Sequence, residues 1–141
     1  MQYLKNVPSK KRRGSNCLII EDSTFDQQMM TRVMTRSFGN VHVDVASTLA
    51  DARAQLADNT ISLILLDNNL PDGFGADFAM ELANDPELSR IPVIMVSDWP
   101  SPFMWEKAQA AGVLFVVSKS EFGARFVKSA LANRAAPAGV N

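Results

Sequence analysis

The chain has 141 residues, 47% of them hydrophobic and 21% charged, with 14 basic against 15 acidic side chains and a net charge of −1. That is one domain's length, with enough apolar surface for a full core, and it excludes a disordered chain. A balanced charge supplies no global field to draw in nucleic acid or an anionic membrane, so neither DNA nor membrane binding is expected.

No apolar run approaches the ~18 residues of a membrane-spanning helix. The N-terminus has no apolar stretch behind its charges, so a signal peptide is not expected and a cytoplasmic location is. The single cysteine, Cys17, rules out an internal disulfide and a cysteine zinc site. It lies in an apolar run and reads as a small buried strand residue.

In chain order, residues 1–14 are polar and end in Lys10-Lys11-Arg12-Arg13-Gly14, which reads as a flexible basic arm. A folded domain is expected over 15–134, and a loose small-residue tail over 135–141. Cys17 to Ile20 predicts a buried strand. Ser23-Thr24-Phe25-Asp26 looks like a capping box with Asp in place of Glu. It opens a first helix carrying Phe25, Met29, Met30, Val33, Met34 and Phe38 at helical spacing, stopped near Gly39. Val41, Val43 and Val45 alternate as a second strand. Thr48 opens a second helix with Leu49, Ala52 and Leu56 as its inner stripe.

Leu63 to Leu66 is a continuous apolar run that ends in Asp67, as in a strand covered on both faces. Phe74 to Ala83 predicts the third helix, Val93 to Val96 the fourth strand, and Phe103 to Ala111 the fourth helix, stopped by Gly112. Val113 to Val117 predicts the fifth strand. Ser118-Lys119-Ser120-Glu121 is placed to cap a last helix running to about Asn133. Strict strand–helix alternation predicts an α/β fold with five parallel strands and helices on both faces. Sites in such sheets lie at the carboxyl ends of the strands.

Those ends carry Glu21-Asp22, Asp67, Ser97 and Lys119. Three carboxylates in one pocket repel one another, and a hard divalent cation such as Mg²⁺ relieves that repulsion. An Asp beside Mg²⁺ is a nucleophile toward phosphorus, with the metal and Lys119 neutralising the transferring group and the Ser97 hydroxyl donating to a phosphoryl oxygen.

The set Glu21-Asp22, Asp67, Ser97 and Lys119 resembles the receiver domain of bacterial response regulators in two-component phosphorelay signalling. Thirty residues separate Asp67 from Ser97 and 22 separate Ser97 from Lys119. The segment Leu66-Asp67-Asn68-Asn69-Leu70-Pro71-Asp72-Gly73-Phe74-Gly75 is similar to the family's loop after the acceptor. The resemblance covers about 16 to 133. It implies a flavodoxin-like strand order 2-1-3-4-5, a stand-alone receiver, and Asp67 as the phosphoacceptor. It also implies Mg²⁺ held by Asp22, Asp67 and the backbone carbonyl of Asn69, with Glu21 helping through water.

The implied partners are a histidine kinase or phosphotransfer protein as donor, and a downstream protein on the face of the fourth helix, fifth strand and fifth helix. A homodimer on that face is a further possibility. Such a chain is not an enzyme beyond its own phosphorylation and dephosphorylation.

Three positions depart from the family. Val116 stands where a Tyr or Phe usually swings inward, and a β-branched side chain has few rotamers for such a motion. Asp98 follows Ser97 where a small residue is usual; it either crowds the phosphoryl group or points to solvent. Ser120 replaces a proline that often makes a cis peptide, so a trans bond is expected.

The loop Ser97-Asp98-Trp99-Pro100-Ser101-Pro102-Phe103 reads as a moving or partner-binding surface, unless Trp99 and Trp105 pack onto the domain itself. His42 reads as a surface residue. Rival readings of the site are a relay or phosphate sink, a phosphate-independent binding module, and a metal-dependent hydrolase. The last is weakened because Asn69, not Asp, stands two after Asp67.

Overall fold

The structure is a computed structural model that describes residues 15–135. The expected basic arm and the C-terminal tail beyond 135 lie outside the described residues.

Five parallel strands form one sheet: β1 (Ser15–Ile20), β2 (Val41–Ala46), β3 (Leu63–Leu66), β4 (Val93–Val96) and β5 (Phe115–Val117). Their order is β2-β1-β3-β4-β5. The helices are α1 (Thr24–Ser37), α2 (Leu49–Asp58), α3 (Gly75–Ala83), α4 (Pro102–Ala110) and α5 (Ala124–Ala135). The parallel α/β sheet expected from the alternation, and the flavodoxin-like strand order implied by the resemblance, are the ones observed.

The central strands are apolar throughout because both sheet faces are covered. Every residue of β3 and β4 is buried. Leu18, Ile20, Ile64, Leu66 and Met95 point to one side and join Ala52, Leu56, Phe78, Leu82, Met104 and Ala108 of α2, α3 and α4. Cys17, Ile19, Leu63, Leu65, Ile94 and Val96 point to the other and join Met30, Met34, Val127 and Ala130 of α1 and α5. Burial pushes the Cys17 thiol far up, which makes it an inert core residue.

Four local features differ from the sequence expectation. Phe25 is 79% exposed, so the inner stripe of α1 is carried by Met30 and Met34 instead. The fifth strand is shorter, because Val113 and Leu114 belong to the connection that leaves α4 at Gly112 (φ +80°). Such a left-handed residue is what terminates a helix here.

Ser118 to Glu121 form a turn in which the Ser118 carbonyl accepts from the amides of Glu121 and Phe122 (3.1 Å each). Phe122 is buried at 7% exposure, and α5 starts only beyond Gly123. Finally, the loop after β3 closes as a two-residue hairpin, Asn69–Leu70 against Gly73–Phe74. No helix of the described residues is long and apolar enough to cross a membrane.

Strand register decides what converges. Ile20 pairs with Ala46 and Leu66, Leu66 with Met95, and Val96 with Val117. The next residues therefore line one edge. Their amides prolong the ladder: Glu21 N–H donates to Ala46 O (3.0 Å), Asp67 N–H to Ile20 O (2.9 Å) and Ser97 N–H to Val117 O (2.9 Å).

Candidate functional site

Glu21, Asp67 and Ser97 sit at that edge with exposures of 0%, 5% and 2%, while Asp22 is open to solvent. Buried acids are rare unless something compensates them. Oxygens of Glu21, Asp22 and Asp67 all lie within 4.8 Å of one another. Glu21 Oε2 accepts from the Ser23 amide (2.9 Å). Its Oε1 is buried without a hydrogen-bond partner. Three hard oxygen donors, two of them from buried side chains, fit a small divalent cation.

Lys119 reaches into the cluster from the loop after β5. Its Nζ lies 2.6 Å from Asp26 Oδ2, 3.1 Å from Glu21 Oε1 and 3.8 Å from Asp67 Oδ1. The contact with Glu21 is an ion pair without hydrogen-bond alignment. Burial works against the lysine's charge, but the hydrogen bond to Asp26 and the charges of Glu21 and Asp67 hold the ammonium well above the usual lysine range.

Burial pushes Glu21 up to about 7; the Ser23 amide lowers it, Asp67 raises it and Lys119 lowers it. Asp67 is also raised, first by burial and then by Asp22, against the lowering pull of Lys119 and the Asn68 and Asn69 amides. An acid in this state is relieved by added positive charge, the complement a cation would supply.

Sequence reasoning missed several supporting residues. Asp26 was legible only as a helix cap. Half of that reading holds: Ser23 Oγ accepts from the Asp26 amide (3.3 Å). The Asp26 carboxylate, however, turns to Lys119, and Glu21 takes the Ser23 amide in its stead. Gln27 Nε2 donates to the Glu21 carbonyl (2.6 Å), fixing the end of β1.

Asn68 takes the Gly75 amide on its carbonyl (2.7 Å) and the Ala76 amide on Oδ1 (3.0 Å), so the residue after Asp67 caps α3. Asp72 caps α2, accepting from the amides of Leu49 (2.8 Å) and Ala50 (3.0 Å). These contacts span 7 to 23 residues, and no local pattern announces them.

Val116 is half-buried and lines a groove of about 320 Å³ with Trp105, Phe115 and Phe126. Asp98 is exposed. The Lys119–Ser120 peptide is trans, as expected. Trp99 is 92% exposed and does not pack onto the domain, while Trp105 is 44% exposed. Asn69 is exposed in the hairpin. His42 lies on the surface of β2, its Nε2 3.2 Å from Asp44.

An acidic trio and a lysine thus meet at the carboxyl edge of a 2-1-3-4-5 parallel sheet. Residues 17–130 match the response regulator receiver domain family, and the chain belongs to that family. Domains of this family are signalling modules rather than classical enzymes, and they bind divalent metal at an acidic pocket.

The chain is 28% identical over 125 residues to a gliding motility regulatory protein of Myxococcus xanthus, covering 89% of this chain but 16% of that protein. It therefore spans about a sixth of that relative's length. Among solved structures, the receiver domain of a signal transduction histidine kinase from Syntrophus aciditrophicus superposes with a TM-score of 0.78 at 20% identity, over 91% of this chain and 98% of that one. The Mn(2+)-bound form of response regulator Rcp1 superposes with a TM-score of 0.70 at 24% identity, over 84% and 91%.

Proposed function

We propose that Asp67 accepts a phosphoryl group from the phosphohistidine of a histidine kinase or phosphotransfer protein, and that the phosphorylated chain changes its affinity for a partner protein. The observation that carries this reading is the convergence of Glu21, Asp22 and Asp67 on one edge, with Lys119 above them. A carboxylate oxygen of Asp67 bonds to phosphorus while the donor's P–N bond breaks, and the imidazole keeps the electron pair.

Asp22, Asp67 and the Asn69 carbonyl, with Glu21 behind them, would hold Mg²⁺, which would supply positive charge to neutralise the phosphoryl oxygens. Lys119 pairs with those oxygens from the other side. The Ser97 hydroxyl, at the end of β4, donates to one of them. The buried setting of Glu21 and Asp67 strengthens each of these interactions.

The downstream face is α4, β5 and α5. Val116 removes the large aromatic rotor from β5, so the signal leaves without it. That same residue favours a second reading, a relay or phosphate sink, because phosphate can pass onward from Asp67 without any long-range switch. Trp99 and Phe103, exposed at 92% and 69% beside the site, support the loop before α4 as a partner surface.

The test is incubation with acetyl phosphate and Mg²⁺, followed by intact mass, with Asp67→Asn alongside. A Mg²⁺-dependent gain of one phosphoryl group, absent in the variant, is the expected result. No gain in folded protein, with cognate kinases also failing, overturns the reading and leaves a phosphate-independent binding module.

A further inference from the structure

Three carboxylates, Glu21, Asp26 and Asp67, lie within 4 Å of the Lys119 ammonium, and that ammonium is nearest to Asp26. The Lys119–Asp26 pair is the shortest at 2.6 Å and is largely sheltered, its side chains 15% and 19% exposed. Asp67 Oδ1 is 3.8 Å away, beyond hydrogen-bond reach.

Asp26 is itself held in place. It lies in the first turn of α1, where its amide is fixed by Ser23 Oγ, and the next residue, Gln27, ties that turn to the end of β1. The carboxylate is thus built into the frame rather than free to follow the lysine. A phosphoryl group on Asp67 brings oxygens that need the same ammonium, so Lys119 must give up or share its contact with Asp26 to serve them.

We infer that Asp26 is a positioning residue for Lys119, which it holds in the resting protein and for which it competes with a phosphoryl group on Asp67. This rests on the phosphoacceptor reading of Asp67. Asp26 acts through the lysine and touches no reacting atom. Its consequence is twofold. The competition weakens the hold on a bound phosphoryl group, and transfer of the lysine releases a contact made by the first turn of α1. That gives the helix a direct report of the state of Asp67 in a chain whose residue 116 is too small to give one.

The experiment is a titration of full-length, lysine-¹⁵N-labelled protein with beryllofluoride, an acyl-phosphate mimic, in saturating Mg²⁺, for wild type, Asp26→Asn and Asp26→Glu. Before ligand, the Lys119 ammonium signal should be protected from exchange in wild type and lost or shifted in Asp26→Asn. Beryllofluoride should move the wild-type signal. Affinity should tighten about fivefold in Asp26→Asn, the fold-change expected of a partly exposed ion pair, and return toward the wild-type value in Asp26→Glu.

A merely structural role for Asp26 predicts the opposite, since loosening α1 weakens binding. An unchanged ammonium signal in Asp26→Asn, or unchanged or weaker binding, overturns the inference alone. A wild type that takes up no beryllofluoride overturns the phosphoacceptor reading and this inference with it.

Discussion

Gly75→Ala should damage both stability and the site, and the size of the damage follows from one contact. A Cβ at position 75 would stand 2.1 Å from the Asp67 carbonyl oxygen and 3.0 Å from both Asp67 C and Asn68 Cα. Ordinary contact begins near 3.5 Å, so the carbonyl would have to retreat by about 1.4 Å. These are backbone atoms, which cannot rotate away as a side chain would.

Moving them also strains the Gly75 N–H bond to Asn68 O and the Ala76 N–H bond to Asn68 Oδ1. Overpacking costs ~1–3 kcal/mol, and two weakened hydrogen bonds add about 1 kcal/mol each. Urea denaturation should therefore record a loss of roughly 3–5 kcal/mol. Because the displaced carbonyl belongs to Asp67, the proposed phosphoacceptor, phosphorylation by acetyl phosphate should also slow, on the order of a hundredfold for a shift of ~1 Å. Gly39→Ala is the control: nothing lies within 4 Å of its Cβ, and the change should stay within about 0.5 kcal/mol. A Gly75→Ala protein as stable as wild type and phosphorylated at the same rate would refute the reasoning.

Further outcomes follow from other contacts. In metal-free protein, Glu21 binds its proton more tightly folded (about 7) than unfolded (4.5), so stability should fall as pH rises across that window, by roughly 3 kcal/mol at most, and level off above it. Urea midpoints measured with chelator read this slope, which saturating Mg²⁺ should flatten; a stability that climbs through the same window contradicts the burial of Glu21. Asp72→Ala removes the acceptor for two amides at the start of α2 and should cost about 1–2 kcal/mol in thermal or urea unfolding. Met34→Ala, in the core beneath α1, should cost ~2–5 kcal/mol. Trp99→Ala, at an exposed loop position, should leave stability within about 0.5 kcal/mol, so any loss of partner binding in that variant reports on the surface and not on the fold.

Sequence alone determined the alternation of strands and helices, because each apolar run was long enough, and bounded clearly enough, to declare its period. It also determined which acids stand at strand ends, since a parallel sheet sends every strand end to one edge. Asp67 behind Leu63–Leu66 and Glu21-Asp22 behind Cys17–Ile20 were legible for that reason.

Tertiary structure decided the rest, where a side chain had two local options. Asp26 was free to close its own capping box, yet Lys119, 93 residues away, takes the carboxylate. Phe25 shares the helical spacing of Met30 and Met34, yet α1 turns it to solvent, because Met30 and Met34 already fill that side against Cys17 and Ile19. Ser118 looked like the start of a helix, yet burial of Phe122 holds the chain in a turn before α5 begins. Periodicity is written in neighbours a few residues apart, whereas the partner of a charge is chosen by whatever the fold brings within 3 Å of it.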